Sequence, residues 1–177
     1  MMRSREERWI HWWCAPWHWA HPVWMARFAE QNGLPQSAAD DLVRVRPGAF
    51  LQSIGIEPSQ PPQPVESLVQ WLTLSPEQQQ QALKLVGRIC LSRSTGIAPD
   101  QHEVWCRSVA KALRPGAWLH SSHDDPRLLL AVWTGETCWP RLRLTWAPGD
   151  LAETFVDLPA NKLQTLWQSV LWRVMTP

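Results

Sequence analysis

Between Trp9 and Met25 the chain reads WIHWWCAPWHWAHPVWM, and four side chains in it could take a metal: His11, Cys14, His18 and His21, spaced HxxCxxxHxxH. Imidazole and thiolate are zinc ligands, and each i,i+3 pair could aim two of them the same way. Structural zinc sites, however, separate their ligand pairs by about a dozen residues, so that a folded loop closes around the ion. Here three residues lie between the pairs. The same histidines serve equally well as helix caps, as backbone hydrogen-bond partners or as solvated side chains. His120 and His123 form a second HxxH in a polar loop, with a weaker claim. The reading is no metal and no cofactor.

Nor does a catalytic constellation emerge. SSHDD at Ser121 to Asp125 gathers hydroxyls, an imidazole and carboxylates, but it leads into Pro126 and reads as a solvated loop and helix cap. No GxSxG, HExxH, phosphate-binding glycine loop or CxxC occurs. The expectation is a protein that is not an enzyme.

The same stretch holds six of the chain's 14 tryptophans. A bilayer anchor would need a long apolar face and a basic face, but Pro16 and Pro22 cut the segment, and Arg8 and Arg27 balance Glu7 and Glu30. A stacking platform for single-stranded nucleic acid would interleave aromatics with cations, yet no Lys or Arg lies between Trp9 and Met25. The remaining role is adhesion. Trp buries a large area and must place its indole N–H, so half or more of these rings belong to the core. The rest would lie on a surface that another protein covers.

The elements that position these rings follow from caps and breakers. Ser4 and Glu7 form a capping box for a short helix that Pro16 breaks. Pro22 opens a second helix that Gly33 stops, and a third ends before Pro47. AFLQSIG reads as a short amphipathic turn or helix. EPSQPPQP (57–64) has four prolines in eight residues and reads as a stiff loop or linker between an N-terminal helical part (1–56) and the main helical part (65–177). VESLVQWLTL is helical. The clearest helix follows Ser75-Pro76, with Gln78 completing its capping box, Ala82, Val86, Ile89 and Arg93 on one stripe, and Gly96 as its stop. The next should turn Val104, Trp105, Ser108, Val109, Ala112 and Leu113 inward. A last helix over 159–175 should bury Leu163, Leu166, Trp167, Val170, Leu171 and Val174. Residues 124–150 read either as two short helices broken at Gly135 and Pro148 or, because RLRLTW alternates, as containing a small β-hairpin near 141–146. The fold class is mainly α: a single irregular helical domain.

Composition narrows the function. The 177 residues are 45% hydrophobic and carry a net charge of +1, too balanced for the cationic field that drives nucleic-acid binding. Of 17 basic residues only Lys84, Lys111 and Lys162 are lysine. Arg and Trp are enriched where interfaces concentrate their binding energy, although a GC-rich genome raises both as well. The opening MMRSREERW has no apolar stretch of signal-peptide type, and the cysteines, Cys14, Cys90, Cys106 and Cys138, are scattered, so the expectation is a cytoplasmic protein.

CAPWHWAHPVWM (Cys14 to Met25) resembles the N-terminal "aromatic–x–P–x–x–aromatic–x–HP" signature of the SctK family of type III secretion proteins (OrgA, MxiK, PscK, HrpD), in its Hrp-type branch. The matching residues are Pro16, Trp19, His21, Pro22 and Trp24. The stretch from Leu85 to Leu113 is similar to that family's central helix pair, with Leu85, Gly87 and the basic Arg88 in the first helix and Trp105 in the second. The chain departs from longer members in its short N-terminus and Pro-rich stretch. The resemblance implies a non-enzymatic adaptor of the cytoplasmic sorting platform, monomeric in isolation and held at the inner membrane through protein contacts. It would link an SctD-like ring protein to an SctQ-like pod protein, and through it to SctL and the SctN ATPase. Trp13 and Trp17 join the motif residues as candidates for the partner surface, with a locked helix start as the alternative role for His21, Pro22 and Trp24. Arg3, Arg5 and Arg8 read as a solvated face. The rival reading, a secretion chaperone or regulator that binds exported substrates, expects acidity and a mixed α/β dimer.

The histidine reading has a direct check. Elemental analysis of purified protein should find zinc far below one equivalent per chain; stoichiometric zinc would restore the HxxCxxxHxxH stretch as a metal centre.

Overall fold

The computed structural model describes residues 4–91, 101–120, 125–151 and 156–176. The expected helix stop at Gly96, and with it Arg93, Arg3, His123 and 121–124 of the SSHDD loop, lie outside the described residues. In chain order the α-helices are α1 (Arg5–Cys14), α2 (Pro22–Gln31), α3 (Gln36–Val45), α4 (Pro47–Ser53), α5 (Glu66–Leu72), α6 (Pro76–Leu91), α7 (Gln101–Leu113), α8 (Pro126–Thr134), α9 (Trp139–Leu142) and α10 (Ala160–Met175). Three 3-10 turns, at Pro16–His18, Pro115–Ala117 and Arg143–Thr145, complete the regular structure, and no strand occurs among the described residues. The chain is mainly α. None of the described helices is long and apolar enough to cross a membrane.

Two compact units share the chain: Met1–Val65 with Glu136–Glu153, and Glu66–Gly135 with Thr154–Pro177. In the first, the Ser4 hydroxyl accepts from the Glu7 N–H at 3.2 Å while the Glu7 carboxylate accepts from the Ser4 N–H at 2.9 Å, which closes the capping box. Pro16 ends the helical path after Cys14. Pro22 occupies the first turn of α2, and Gly33, at φ +61°, lets the chain leave after it. Helices α2, α3 and α4 pack in succession. They enclose Met25, Phe28, Ala39, Val43, Phe50 and Leu51, joined by Leu144 from the returning segment.

Of the two readings left open for this returning segment, the helical one holds, and the alternative of a small hairpin near 141–146 is corrected. Pro140 opens α9, and a 3-10 turn continues it from Arg143 to Thr145. The alternation in RLRLTW misleads because one of its polar positions is also inside: Arg141 is 5% exposed, beside Leu142 and Leu144 at 1% each. A run that buries consecutive residues suits a tight helical path better than a half-exposed strand.

In the second unit α6 and α10 pack together, with α7 and α8 against both. Ser75 and Gln78 cap α6 reciprocally, at 3.2 and 2.9 Å. Ala82, Leu85, Val86 and Ile89 of α6 are buried, as are Leu163, Leu166, Trp167, Val170 and Leu171 of α10; Val174 is half-buried. Gly87 lies where an added Cβ would sit 3.4 Å from the Pro126 ring, so α6 runs flush against the start of α8. The inward face expected for α7 is wrong by roughly a third of a turn. Val104 is 64% exposed, and Ser108 and Ala112 face solvent, while Cys106 and Leu113 are buried and Val109 and Ala110 half-buried. The core takes the small Cys106, whose thiol lies 4.0 Å from the Leu85 carbonyl, and leaves Trp105 on the flank with the Arg173 guanidinium 5.8 Å from its ring.

Trp167 centres this unit. It is fully buried, stacks on Trp133 at 5.5 Å, meets Trp71 edge-on at 5.8 Å, and donates its indole N–H to the Leu129 carbonyl. Replacing it with Ala removes that core and should cost about 3–5 kcal/mol. Trp172→Ala, on the exposed face of α10, should stay within about 0.5 kcal/mol. Urea denaturation followed by far-ultraviolet circular dichroism compares them, and equal midpoints would refute this assignment.

Candidate functional site

The tryptophan-rich turn is built on donors that reach carbonyls far away in sequence. Trp9 and Trp12 are each 2% exposed and Trp13 is 3%, their rings within 5.7 to 6.3 Å of one another. Trp9 gives its indole N–H to the Pro62 carbonyl at 2.8 Å, and Trp13 gives its own to Ser59 at 3.0 Å. The Pro-rich stretch therefore lies along α1 and offers carbonyls that no helix or sheet uses. Pro16 is buried beneath the turn, and Trp17 lies half-buried, edge-on to Phe50 at 6.2 Å.

Residues 141–146 are fastened to the same turn by three further bonds. The backbone N–H of His21 donates to Leu144 at 2.7 Å, and the Trp24 indole N–H to Trp146 at 2.8 Å. Arg141 donates through Nε to the Trp13 carbonyl at 3.0 Å while its guanidinium lies 3.9 Å from the Trp13 ring centroid. Burial holds the Arg141 pKa below the usual guanidinium range. A planar cation on an indole face loses less by leaving water than an ammonium would, which suits Arg to this place.

The structure sorts the sequence candidates accordingly. Trp13 and Pro16 have no surface to present, which corrects their assignment to a partner face. His21 is half-buried at the N-terminus of α2, where its Nδ1 accepts a long 3.4 Å bond from the Val23 N–H; Pro22 is exposed and Trp24 half-buried. Trp19 is different: it is 48% exposed, its ring perpendicular to that of His11 at 5.9 Å, and Ile10 and Val23 of the same stretch are also exposed. In the other unit Leu85 and Gly87 are core, and Arg88 and Trp105 are half-buried.

His11 and His18 stack at 5.1 Å and Cys14 is exposed, but among the described residues no three His, Cys, Asp or Glu side chains come together as metal ligands. Desolvation pushes the Cys90 thiol up to about 12 and Cys138 to about 11, so neither forms a thiolate near neutral pH.

Sequence reasoning missed Arg141, and with it Arg27, Trp139 and Arg143. These last three line an open cleft of about 410 Å³ with Trp24, Pro148 and Gly149. The signal was present in the RLR alternation, but charge alone gives no sign that an arginine is buried.

No protein-family model matches the chain, and no curated protein or solved structure shows significant similarity to it.

Arg141→Ala should lower stability by about 2–4 kcal/mol, through lost contact with Trp13 and a carbonyl left without its donor. Arg141→Lys should recover less than half of that, because an ammonium cannot lie flat on the ring. Chemical denaturation of both variants tests this; a lysine variant as stable as the parent would contradict it.

Proposed function

We propose that this chain is a non-enzymatic adaptor of the type III secretion sorting platform, joining an SctD-like ring protein to an SctQ-like pod protein and acting at the inner membrane through protein contacts. The support comes from the motif residues themselves. Pro16, His21, Pro22 and Trp24 all have structural work in one turn: a buried break, a backbone donor, a helix start and an indole tether. Trp19 alone among the motif aromatics is exposed, with about half of its surface in solvent. The observation that carries the reading is that exposed indole, held on a turn whose other rings are fixed. A large aromatic presented from a rigid support is the usual form of a binding hot spot, because little conformational entropy is lost when a partner covers it.

The function lies in contact and not in chemistry. Buried thiols with raised pKa values, such as Cys90 and Cys138, are poor nucleophiles.

Co-purification with SctD-like and SctQ-like proteins tests the reading. Trp19→Ala should keep its helical spectrum and its denaturation midpoint, yet weaken capture of one partner by about tenfold or more, as hot-spot truncations of about 2 kcal/mol do. Undiminished capture of both partners by folded Trp19→Ala protein, or capture of neither by the parent, would refute it.

A further inference from the structure

Two indole N–H groups on α1 fasten the Pro-rich stretch 57–64, and their spacing suits polyproline. No helix includes this strap; seven of its eight residues are exposed, and Pro61 is half-buried. Among the described residues its hydrogen bonds are two. The Pro62 carbonyl accepts from the Trp9 indole at 2.8 Å, and the Ser59 carbonyl from the Trp13 indole at 3.0 Å. Both indoles are buried, their ring centroids 5.8 Å apart.

That spacing fits one backbone conformation. Polyproline II repeats every three residues, so carbonyls at i and i+3 return to the same side, about 9 Å apart. Ser59 and Pro62 are such a pair, and Pro58, Pro61 and Pro64 repeat with the same period. Trp9 and Trp13 lie one helical turn apart, about 6 Å along one face of α1, and the length of an indole spans the difference. Pairing Trp9 with Pro62 and Trp13 with Ser59 runs the strap antiparallel to α1. Proline fixes φ and has no backbone N–H, so a segment of this kind offers its carbonyls ready-made and loses little entropy when bound. Aromatic-lined grooves read proline-rich peptides on the same principle.

The hold is also exchangeable. Both acceptors are main-chain carbonyls, so neither bond depends on the side chain of the strap. Another extended proline-rich segment brings the same acceptors at the same repeat. One replacing the other leaves no indole N–H unpaired, and the released strap gives its carbonyls to water. We propose that the α1 face at Trp9 and Trp13 is a polyproline-binding site, occupied in the resting chain by residues 57–64 and open to exchange with a proline-rich, extended segment of a partner protein. The strap is tethered at both ends and competes at high effective concentration, so the resting chain binds a short peptide weakly. The proposal uses neither Trp19 nor the secretion reading.

Fluorescence anisotropy with the full chain tests it, using fluorescein-labelled Glu-Pro-Ser-Gln-Pro-Pro-Gln-Pro-amide, the strap's own sequence, and a twin with Ala for every Pro. A variant carrying Pro58→Gly, Pro61→Gly, Pro62→Gly and Pro64→Gly loosens the strap and keeps both indoles. It should bind the proline peptide at least tenfold more tightly than the parent does, and the alanine twin at least tenfold more weakly than the proline peptide. Adding Trp13→Phe or Trp9→Phe, each of which keeps a ring and removes the N–H, should lose fivefold or more. Variants are scored on protein with the parent's helical spectrum. If the fourfold change unfolds the chain, Pro64→Gly alone takes its place, with a gain of about threefold. Equal affinity of the parent and the loosened variant, no binding to either, equal binding of the alanine twin, or unchanged affinity in the Trp→Phe variants would each overturn the proposal. So would a parent dimer that the peptide dissociates, which would assign the face to a second copy.

Discussion

Side-chain donors that reach lone backbone carbonyls hold the first unit together. Turns and Pro-rich stretches expose carbonyls that no helix or strand satisfies, and burying them unpaired is costly. Trp9, Trp13 and Trp24 each bring a large apolar area and a single N–H, and each spends that N–H on such a carbonyl, at Pro62, Ser59 and Trp146. Arg141 does the same to Trp13 while covering its ring. One class of contact thus solves two problems at once: it removes hydrophobic surface from water and satisfies backbone that has no regular partner. This is why the composition is so rich in Trp and Arg where the helices are shortest.

The second unit is built on longer regular helices. Long amphipathic α6 and α10 satisfy their own backbone, so its central indoles serve mainly as volume. Trp167 is the pivot, with Trp71 and Trp133 on either side. The contrast explains why α6 and α10 were readable as helices with buried Ala82, Val86 and Ile89 on one and Leu163, Leu166, Trp167, Val170 and Leu171 on the other. Their periodicity reflects burial directly, and Ser75, Gln78 and Pro76 mark the start of α6.

Where reading failed, the cause is specific. For α7 the largest apolar residue, Trp105, drew the predicted face toward itself, whereas the interior accepts Cys106 and puts the indole under Arg173 at the edge. For residues 141–146 a buried arginine imitated the polar side of a strand. Both errors arise from treating side-chain type as a proxy for position. Arg and Trp are amphipathic, with a broad apolar body and a polar tip, and can sit inside or at the rim depending on whether a carbonyl or a ring is within reach. The site was partly legible for the same reason. His21, Pro22 and Trp24 could be read as a locked helix start, but nothing in the pattern distinguishes the buried Trp13 from the exposed Trp19. Trp13 is set apart by Arg141 and Ser59, far along the chain.

The division of the first unit's indoles into tethers at Trp9, Trp13 and Trp24 and an exposed ring at Trp19 is therefore the claim on which the rest stands. Hydrogen exchange of the tryptophan side-chain N–H groups in uniformly ¹⁵N-labelled protein measures it, with resonances assigned by single Trp→Phe variants. The account predicts slow exchange at Trp9, Trp13 and Trp24, protected by their carbonyls, and exchange near the solvent rate at Trp19. Trp13 and Trp24 exchanging as fast as Trp19 would contradict it.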